Sequence, residues 1–320
     1  MTDVHDEFST LKNRTKEKLR RDLGEMVLEA LHDPATVEIM LNADGLLWQE
    51  RLGEAMRCIG KMAPARAEAI IKTISGFHGK EVTRWSPLLE AELPLDGSRF
   101  AGQLPPVVSA PTFAIRKRAV AIFTLQQYVD AGLMTPRQCE VMKTAIQEHR
   151  NILVTGGTGS GKTTLVNAII NEMVVQNDQE RLVIIEDTGE IQCAAQNVVQ
   201  YHSTLEVSMT MLLKTTLRMR PDRILVGEVR GPEALDLLMA WNTGHEGGAA
   251  TIHANHARAG LDRLRMLISM HQDAPDDIEP LIANVVNVIV HIDRTPTGRR
   301  IREIVRLNGY RRNDYVIEEI

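Results

Sequence analysis

A glycine-rich stretch at residues 156–164 carries the clearest chemistry in the sequence, because it fits the pattern G-x-x-x-x-G-K-[ST] at every fixed position. Glycines let successive backbone N–H groups turn onto phosphate oxygens, and the helix expected next presents its positive end to an anion. Lys162 would reach the β- and γ-phosphates, and Thr163 would ligate Mg²⁺. The stretch therefore predicts a site for ATP and Mg²⁺. The predicted nucleotide-binding residues are Gly156, Gly157, Thr158, Gly159, Ser160, Gly161, Lys162, Thr163 and Thr164.

Glu228 is the leading candidate for the residue that acts on the attacking water. It follows the apolar run Arg223–Val226, at the place where P-loop ATPases carry their second acidic motif, and Gly227 stands where that motif usually has an aspartate. A carboxylate there would hold Mg²⁺ through water or polarise the water that attacks the γ-phosphate. The alternative is that Glu228 caps the helix expected from Pro232.

A second apolar run ends in the carboxylates of Glu186 and Asp187, and Glu190 follows shortly after. Carboxylates beside a Mg²⁺-nucleotide can order metal-bound waters, which would compensate for the glycine at position 227. We therefore predict that Glu186 belongs to the catalytic group. A polar turn is the other interpretation of these acids. The predicted metal-binding residues are Thr163, Glu228, Glu186 and Asp187.

Two histidines bracket a glycine-rich turn within residues 242–253. An imidazole can hydrogen-bond a transferring phosphoryl group, so we predict that His245 and His253 act as sensors of the γ-phosphate. A zinc site has little support, because no cysteine or third histidine lies at ligand spacing. For His253 the alternative is a buried histidine whose ring is satisfied by the backbone.

Arginines commonly stabilise the charge that develops on the γ-phosphoryl oxygens, sometimes from a neighbouring subunit. We predict that Arg99 or Arg116 completes the site by rotation about a link at residues 119–124, and Arg230 is a further catalytic candidate. Any single arginine could instead form a surface ion pair. The remaining candidates are Arg118, Arg218 and Arg220.

Another basic feature is the stretch Arg294–Arg312, which holds seven arginines and one acid, Glu303. It fits a basic edge that contacts a neighbouring subunit, or a nucleic-acid patch. The sequence leaves both interpretations open.

Strands and helices alternate through residues 122–320, which predicts an α/β domain with a mainly parallel sheet covered by helices on both faces. Ligands of such sheets bind at the carboxyl ends of the strands. That rule places Asp187, Glu228 and His253 on the same side of the sheet as the phosphate loop. The predicted strands are 151–155, 181–187, 223–229, 249–253, 285–292 and 300–307, and the predicted helices are 125–131, 136–148, 165–175, 209–219, 232–242 and 258–269.

Residues 1–121 predict a smaller α+β domain in which nothing looks catalytic by itself. Its first helix is expected at about residues 8–31, and an Asp-Gly turn predicts a β-hairpin. Pro and Gly break the rest into short pieces. The predicted hairpin strands are 36–41 and 46–50, the second helix is 63–76, and the later strands are 93–97, 99–105 and 112–116.

Length and composition favour an ordinary two-domain chain, since it has 320 residues, 43% of them apolar, and a net charge of −5. That charge gives no support for direct nucleic-acid binding. Its three cysteines (Cys58, Cys139 and Cys193) form no C-x-x-C pair, so a reducing, cytoplasmic setting fits best. Residues 1–24 lack the apolar core of a signal peptide, and the apolar run at 281–292 is too short to span a bilayer. We expect a soluble protein.

Four motifs in order resemble those of the type II/type IV secretion traffic ATPases. The glycine at position 227 is normal in that family, and residues 37–45 resemble its first domain. The likeness spans about residues 30–310 and is strongest to the short members that serve conjugative type IV secretion. The four motifs are the phosphate loop, the acidic box at 185–187, the segment 217–230 and the histidine box at 243–253.

The resemblance implies an ATP-hydrolysing homohexamer, with nucleotide held between an N-terminal domain and a RecA-like P-loop ATPase domain. It also implies a peripheral position at the inner face of the inner membrane, beside inner-membrane components of a secretion or mating-pair apparatus. The scattered cysteines exclude the tetracysteine zinc module of type II members. Three alternatives stay open: a pilus assembly or retraction motor, a RecA-like DNA translocase, and a nucleotide-gated scaffold with negligible turnover.

Overall fold

The computed structural model describes residues 2–51, 54–117, 124–204, 206–295 and 298–320. The chain divides into two compact units, Met1–Val120 and Ala121–Ile320. The predicted boundary at residue 121, the candidate Arg118 and all of the predicted link except Thr124 lie outside the described residues.

Among its described residues, the first unit contains two helices and six strands. The helices are α1 (Thr2–His32) and α2 (Pro64–Phe77). The strands are β1 (Thr36–Leu41), β2 (Leu46–Arg51), β3 (Arg57–Lys61), β4 (Leu88–Glu92), β5 (Arg99–Gln103) and β6 (Thr112–Arg116). The strands form one antiparallel sheet in the order β3-β2-β1-β6-β5-β4.

One face of this sheet is buried under both helices, because alternate strand residues are apolar. Ile39, Phe100 and Ile115 from the sheet share a core with Leu23 of α1 and Ile71 of α2. The other face mixes polar side chains such as Glu38 and Arg116 with apolar ones such as Met40 and Trp48, and these are half-buried. The predicted hairpin of β1 and β2 is confirmed.

The second unit alternates strands with helices, as expected. Its helices are α3 (Leu125–Asp130), α4 (Pro136–Gln147), α5 (Lys162–Gln176), α6 (Met209–Thr216), α7 (Glu233–Trp241), α8 (Ala257–Ile268) and α9 (Ile278–Val285). Its strands are β7 (Ile152–Gly156), β8 (Leu182–Glu186), β9 (Val198–His202), β10 (Arg223–Val226), β11 (Ala249–His253), β12 (Val288–Thr295), β13 (Gly298–Arg311) and β14 (Asp314–Glu319).

These strands form one sheet in the order β14-β13-β12-β7-β11-β10-β8-β9. The six strands from β12 to β9 are parallel, and β13 and β14 add an antiparallel edge. Alternate residues point to opposite faces: Val154 and Ile184 pack with α3, α4 and α5, whereas Leu153 and Ile185 pack with α6, α7, α8 and α9. The α/β class and the two-sided helical cover are confirmed.

Some elements differ from the sequence prediction. Residues 93–97 are not a strand but the connection between β4 and β5, where the Gly97 N–H donates to Leu93 O at 2.9 Å. Pro94 and the Asp96-Gly97 pair favour a turn there. The prediction omits β3, β4, β9, β14 and α9. Of these, β9 and β14 are sheet edges with much exposed surface, and α9 has only eight residues.

Candidate functional site

The phosphate loop (residues 156–161) joins β7 to α5 at the carboxyl edge of the parallel sheet. Every residue of β7 is buried, so the start of the loop is fixed by the core. Gly156 lies opposite His253 of β11, and a Cβ at Gly156 would collide with the Ile292 carbonyl oxygen. Gly161 caps α5 with a left-handed φ of 101°, which favours glycine. The positive end of α5 therefore adjoins the loop.

Lys162 is almost fully buried within the loop that it follows, at 7% exposure. Its ammonium donates to the carbonyl oxygens of Gly156 (3.1 Å) and Gly157 (3.0 Å), and it lies 3.2 Å from Nδ1 of His253. The first turn of α5 and the end of β11 thus hold the cation where a phosphate chain would enter. Of the two predicted histidines, His253 is brought to the loop.

His253 connects Lys162 to Glu228, since its Nε2 lies 2.9 Å from Oε1 of that carboxylate. Burial lowers the pKa of His253, and the charge of Lys162 lowers this pKa further, against the opposing effect of Glu228. A neutral ring must donate from Nε2, because a carboxylate only accepts. Its Nδ1 is then the acceptor for Lys162, so both ring nitrogens have a defined role.

Glu228 is held from its other side by Arg230, whose Nη2 donates to Oε2 at 2.7 Å. Burial would raise the pKa of Glu228, but the hydrogen bond and the charge of Arg230, with smaller effects of His253 and Lys162, bring it below its ordinary value. Arg230 also reaches Asp187 through Nη1 at 3.2 Å. Five side chains therefore contact one another in series, and we call them the polar chain. In order of contact they are Lys162, His253, Glu228, Arg230 and Asp187.

Glu186 occupies the space that an aspartate at position 227 would fill. It is buried at the end of β8, and a Cβ on Gly227 would lie 2.9 Å from its Cγ. Its Oε1 accepts the N–H groups of Glu190 (3.0 Å) and Ile191 (2.8 Å), which shapes the turn after β8. The glycine that departs from the common acidic motif is therefore required by the neighbouring glutamate.

Thr163 faces a carboxylate that is not among the predicted metal-binding residues. Its hydroxyl donates to Oε2 of Glu190 at 3.3 Å. Within the described residues, no three His, Cys, Asp or Glu side chains form a group that could enclose a metal ion. Mg²⁺ in nucleotide sites is held by one or two protein oxygens, with phosphate and water as the other ligands, and the Thr163–Glu190 pair fits that donor set.

The structure does not bring His245 to the loop, which corrects the expectation that both histidines serve one site. His245 precedes β11 and His253 ends it, so the two histidines lie at opposite edges of the sheet. The strand between these edges is about 13 Å long. His245 Nδ1 contacts the carbonyl oxygen of Pro221, ahead of β10, at 3.1 Å. The glycines after it pack at this amino edge, where Gly248 adjoins Trp241.

Arg99 and Arg116 lie directly opposite each other on β5 and β6 of the first unit. Glu38 of β1 is the next partner of Arg116, and the two arginine charges act on this carboxyl, whose pKa burial raises. Like charges opposite each other across a sheet repel, and the attraction of both arginines to Glu38 offsets part of this repulsion. Their assignment as nucleotide-completing residues stays a prediction.

One residue beside the loop is missing from the predicted site residues. Arg299 of β13 directs its Nε to the carbonyl oxygen of Gly159 at 3.4 Å. It belongs to the arginine-rich stretch, where composition could not separate one arginine from the others. The register of β13 against β12 is the information that would have identified it.

The fold and the site define an α/β protein with a glycine-rich loop and a polar chain at the carboxyl edge of a parallel sheet. The profile of the type II/IV secretion system protein family matches residues 81–304. The chain therefore belongs to the type II/IV secretion system protein family. It is 48% identical over 305 residues to the conjugal transfer protein TrbB of Rhizobium radiobacter, which covers 95% of this chain and 94% of that protein.

A second relative is the type IV secretion system protein PtlH of Bordetella pertussis, 32% identical over 317 residues, with 87% of this chain and 92% of that protein covered. Two solved structures show a similar fold. The Legionella pneumophila ATPase DotB matches with a TM-score of 0.62 and 19% identity, covering 87% of this chain and 79% of its own. The pilus retraction motor PilT with bound ADP matches with a TM-score of 0.63 and 18% identity, covering 87% and 80%.

Proposed function

We propose that this protein is an ATPase that powers assembly or substrate transfer in a conjugative type IV secretion system. The observation that carries the proposal is the polar chain, which links the phosphate-loop lysine to Glu228 through His253. The family membership and the 48% identity to a conjugal transfer protein support the setting. In this proposal the second unit is a RecA-like P-loop domain.

Glu228 is the residue that we assign to the attacking water. It is ionised at neutral pH because its pKa lies below the ordinary value, and Arg230 and His253 fix its orientation. Water oriented by this carboxylate attacks the γ-phosphorus, the bond to the bridging oxygen breaks, and ADP leaves. The proton of the attacking water ends on the released phosphate or in solvent.

Nucleotide binding would rearrange the contacts of Lys162. Its ammonium now donates to two backbone carbonyl oxygens and contacts His253, and the phosphates are stronger partners. Binding of the β- and γ-phosphates by Lys162 would release Nδ1 of His253, which could then bond to the γ-phosphate when that ring is protonated. Thr163 with Glu190 would hold Mg²⁺, whose charge would offset that of the phosphates.

We also propose a homohexamer that works at the inner face of the inner membrane beside membrane components of the mating-pair apparatus. The names of the curated relatives support the apparatus. Within the described residues, no helix is long and apolar enough to cross a membrane.

The test is the rate of phosphate release measured against protein concentration, with and without DNA. We expect a specific rate that rises with concentration, because ring assembly completes the site, and that is unchanged by DNA. Strong stimulation by DNA would favour a translocase instead. Negligible phosphate release at every concentration would favour a nucleotide-gated scaffold and contradict the proposal.

A further inference from the structure

The hairpin of β12 and β13 brings an arginine to the phosphate loop. In its register Ile301 pairs with Ile292, and Arg299 pairs with Arg294 two residues further toward the turn. The position of β13 is fixed there by a hydrogen bond from Ile301 N–H to the carbonyl oxygen of Leu133 at 2.8 Å. Arg299 is thus two residues from an anchored backbone position, which limits where its side chain can reach.

The side chain of Arg299 lies along the outside of the loop. A Cβ on Gly161 would be 2.9 Å from Cδ of Arg299, so only glycine permits this approach. Nε donates to Gly159 O at 3.4 Å, near the outer limit of a hydrogen bond. Within the described part of the chain, Nη1 and Nη2 make no hydrogen bond. The charge also acts on the hydroxyl of Tyr128, whose pKa burial raises and Arg299 lowers.

The sheet order decides which part of a nucleotide Arg299 would meet. Lys162, His253 and Glu228 lie toward β11 and β10, on one side of β7, and they mark the γ-phosphate end. β13 lies on the other side of β7, beyond β12. Arg299 therefore approaches the loop from the side opposite to these three residues, which is the side left for the α-phosphate and the nucleoside if the γ-phosphate faces them.

We propose that Arg299 binds the α-phosphate of the nucleotide through its terminal guanidinium nitrogens. The guanidinium fork matches phosphate oxygens, and a charge-assisted pair is stronger than a neutral hydrogen bond. The inference rests on the proposed function, because it assumes that a nucleotide occupies the phosphate loop. It adds a residue that the phosphate-loop pattern does not contain.

Equilibrium binding of ADP and of pyrophosphate to the full chain tests the proposal without any need for turnover. Pyrophosphate offers the loop and Lys162 their phosphates but has no α-phosphate bound to a nucleoside. We expect Arg299→Ala to weaken ADP binding by roughly 10- to 100-fold, the loss of a hydrogen-bonded charge, while pyrophosphate binding is unchanged. Arg299→Gln keeps a hydrogen-bond donor for Gly159 but loses the charge, so it should also weaken ADP binding. This variant replaces the alanine variant in the test if the latter does not fold.

The matched control is Arg300→Ala, which removes the next arginine on the opposite face of β13 and should leave both ligands unaffected. Unchanged ADP binding in the Arg299 variants would overturn the proposal. An equal loss for pyrophosphate would also overturn it, since Arg299 would then only shape the loop. GDP and UDP should lose the same factor as ADP, and a base-dependent loss would indicate stacking on the base. If the unmodified protein binds none of these ligands, the proposed function itself is wrong.

Discussion

Glu228 combines burial with a low pKa because two cationic or polar partners hold it from opposite sides. Arg230 donates to one carboxylate oxygen and His253 to the other. A carboxylate arranged in this way keeps its charge and its direction when water is excluded. Glu186 is less suited to orient the attacking water, because its Oε1 already accepts two backbone N–H groups.

For Glu228→Gln we expect retained ATP binding and hydrolysis slowed by on the order of 10²–10⁴-fold, because the amide keeps the shape and loses the charge. Binding and single-turnover hydrolysis measured on the same preparation separate the two effects. Asp187→Asn is a suitable comparison, since it alters the far end of the polar chain. Loss of ATP binding in Glu228→Gln would show that Glu228 is chiefly a metal-binding or structural residue.

His253 makes the stability of the second unit depend on pH. Its pKa in the folded chain lies below the ordinary value of about 6.5, so the unfolded chain takes up this proton first as the pH falls. The stabilisation from neutral His253 is therefore complete above about pH 6.5 and is lost as the pH falls below it. Denaturant unfolding at about pH 8 and about pH 5 should show a smaller acid-induced loss in His253→Gln than in the unmodified protein. Equal losses in both proteins would contradict this account.

Asn151 connects the amino ends of three strands, β7, β11 and β12. Its Oδ1 accepts the N–H groups of Gly247 (2.9 Å) and Gly248 (3.1 Å) ahead of β11, and its Nδ2 donates to Val285 O (2.8 Å) ahead of β12. The residue is fully buried and immediately precedes β7. It thereby fixes the central strands whose opposite ends carry the site.

Asn151→Ala should lower the free energy of unfolding by at least about 2 kcal/mol, because each buried polar group left without a partner costs about 1–3 kcal/mol. Chemical denaturation measures the change. Asn308→Ala removes an exposed asparagine of β13 that bonds Glu318, and should cost far less. A similar, small loss in both variants would mean that the Asn151 contacts contribute little.

Strand and helix alternation made the main sheet of the second unit predictable, because its central strands are continuous apolar runs. The carboxyl-end rule likewise grouped Asp187, Glu228 and His253 with the loop. The same rule also separates the two histidines, because only His253 ends the predicted strand 249–253 and His245 precedes it. Arg299 was beyond reach of the sequence, since its position depends on the register of β13 against β12. Apolar Leu93 suggested a strand because burial alone does not distinguish a strand from a buried turn residue.

Turnover by the whole molecule is predicted to need an arginine of the first unit. Arg99 and Arg116 lie opposite each other there on β5 and β6. We expect Arg→Ala at the functional one of the two to lower turnover by roughly 10³-fold, with a much smaller effect on ATP binding. Mixing that variant with Lys162→Ala tells whether the arginine acts across a subunit boundary, since activity returns only if it does. If turnover survives the loss of both arginines, the residue that stabilises charge on the γ-phosphate must be Arg218, Arg220 or Arg230.

The most direct test of the account compares steady-state phosphate release from ATP by the unmodified protein and by Lys162→Ala. Lys162 is the one point charge that both the phosphate-loop pattern and the polar chain assign to the β- and γ-phosphates. We predict Mg²⁺-dependent phosphate release by the unmodified protein and none above background by a Lys162→Ala protein with an unchanged circular dichroism spectrum. Near-normal turnover in the folded variant would contradict the assignment of this site as the centre of ATP hydrolysis.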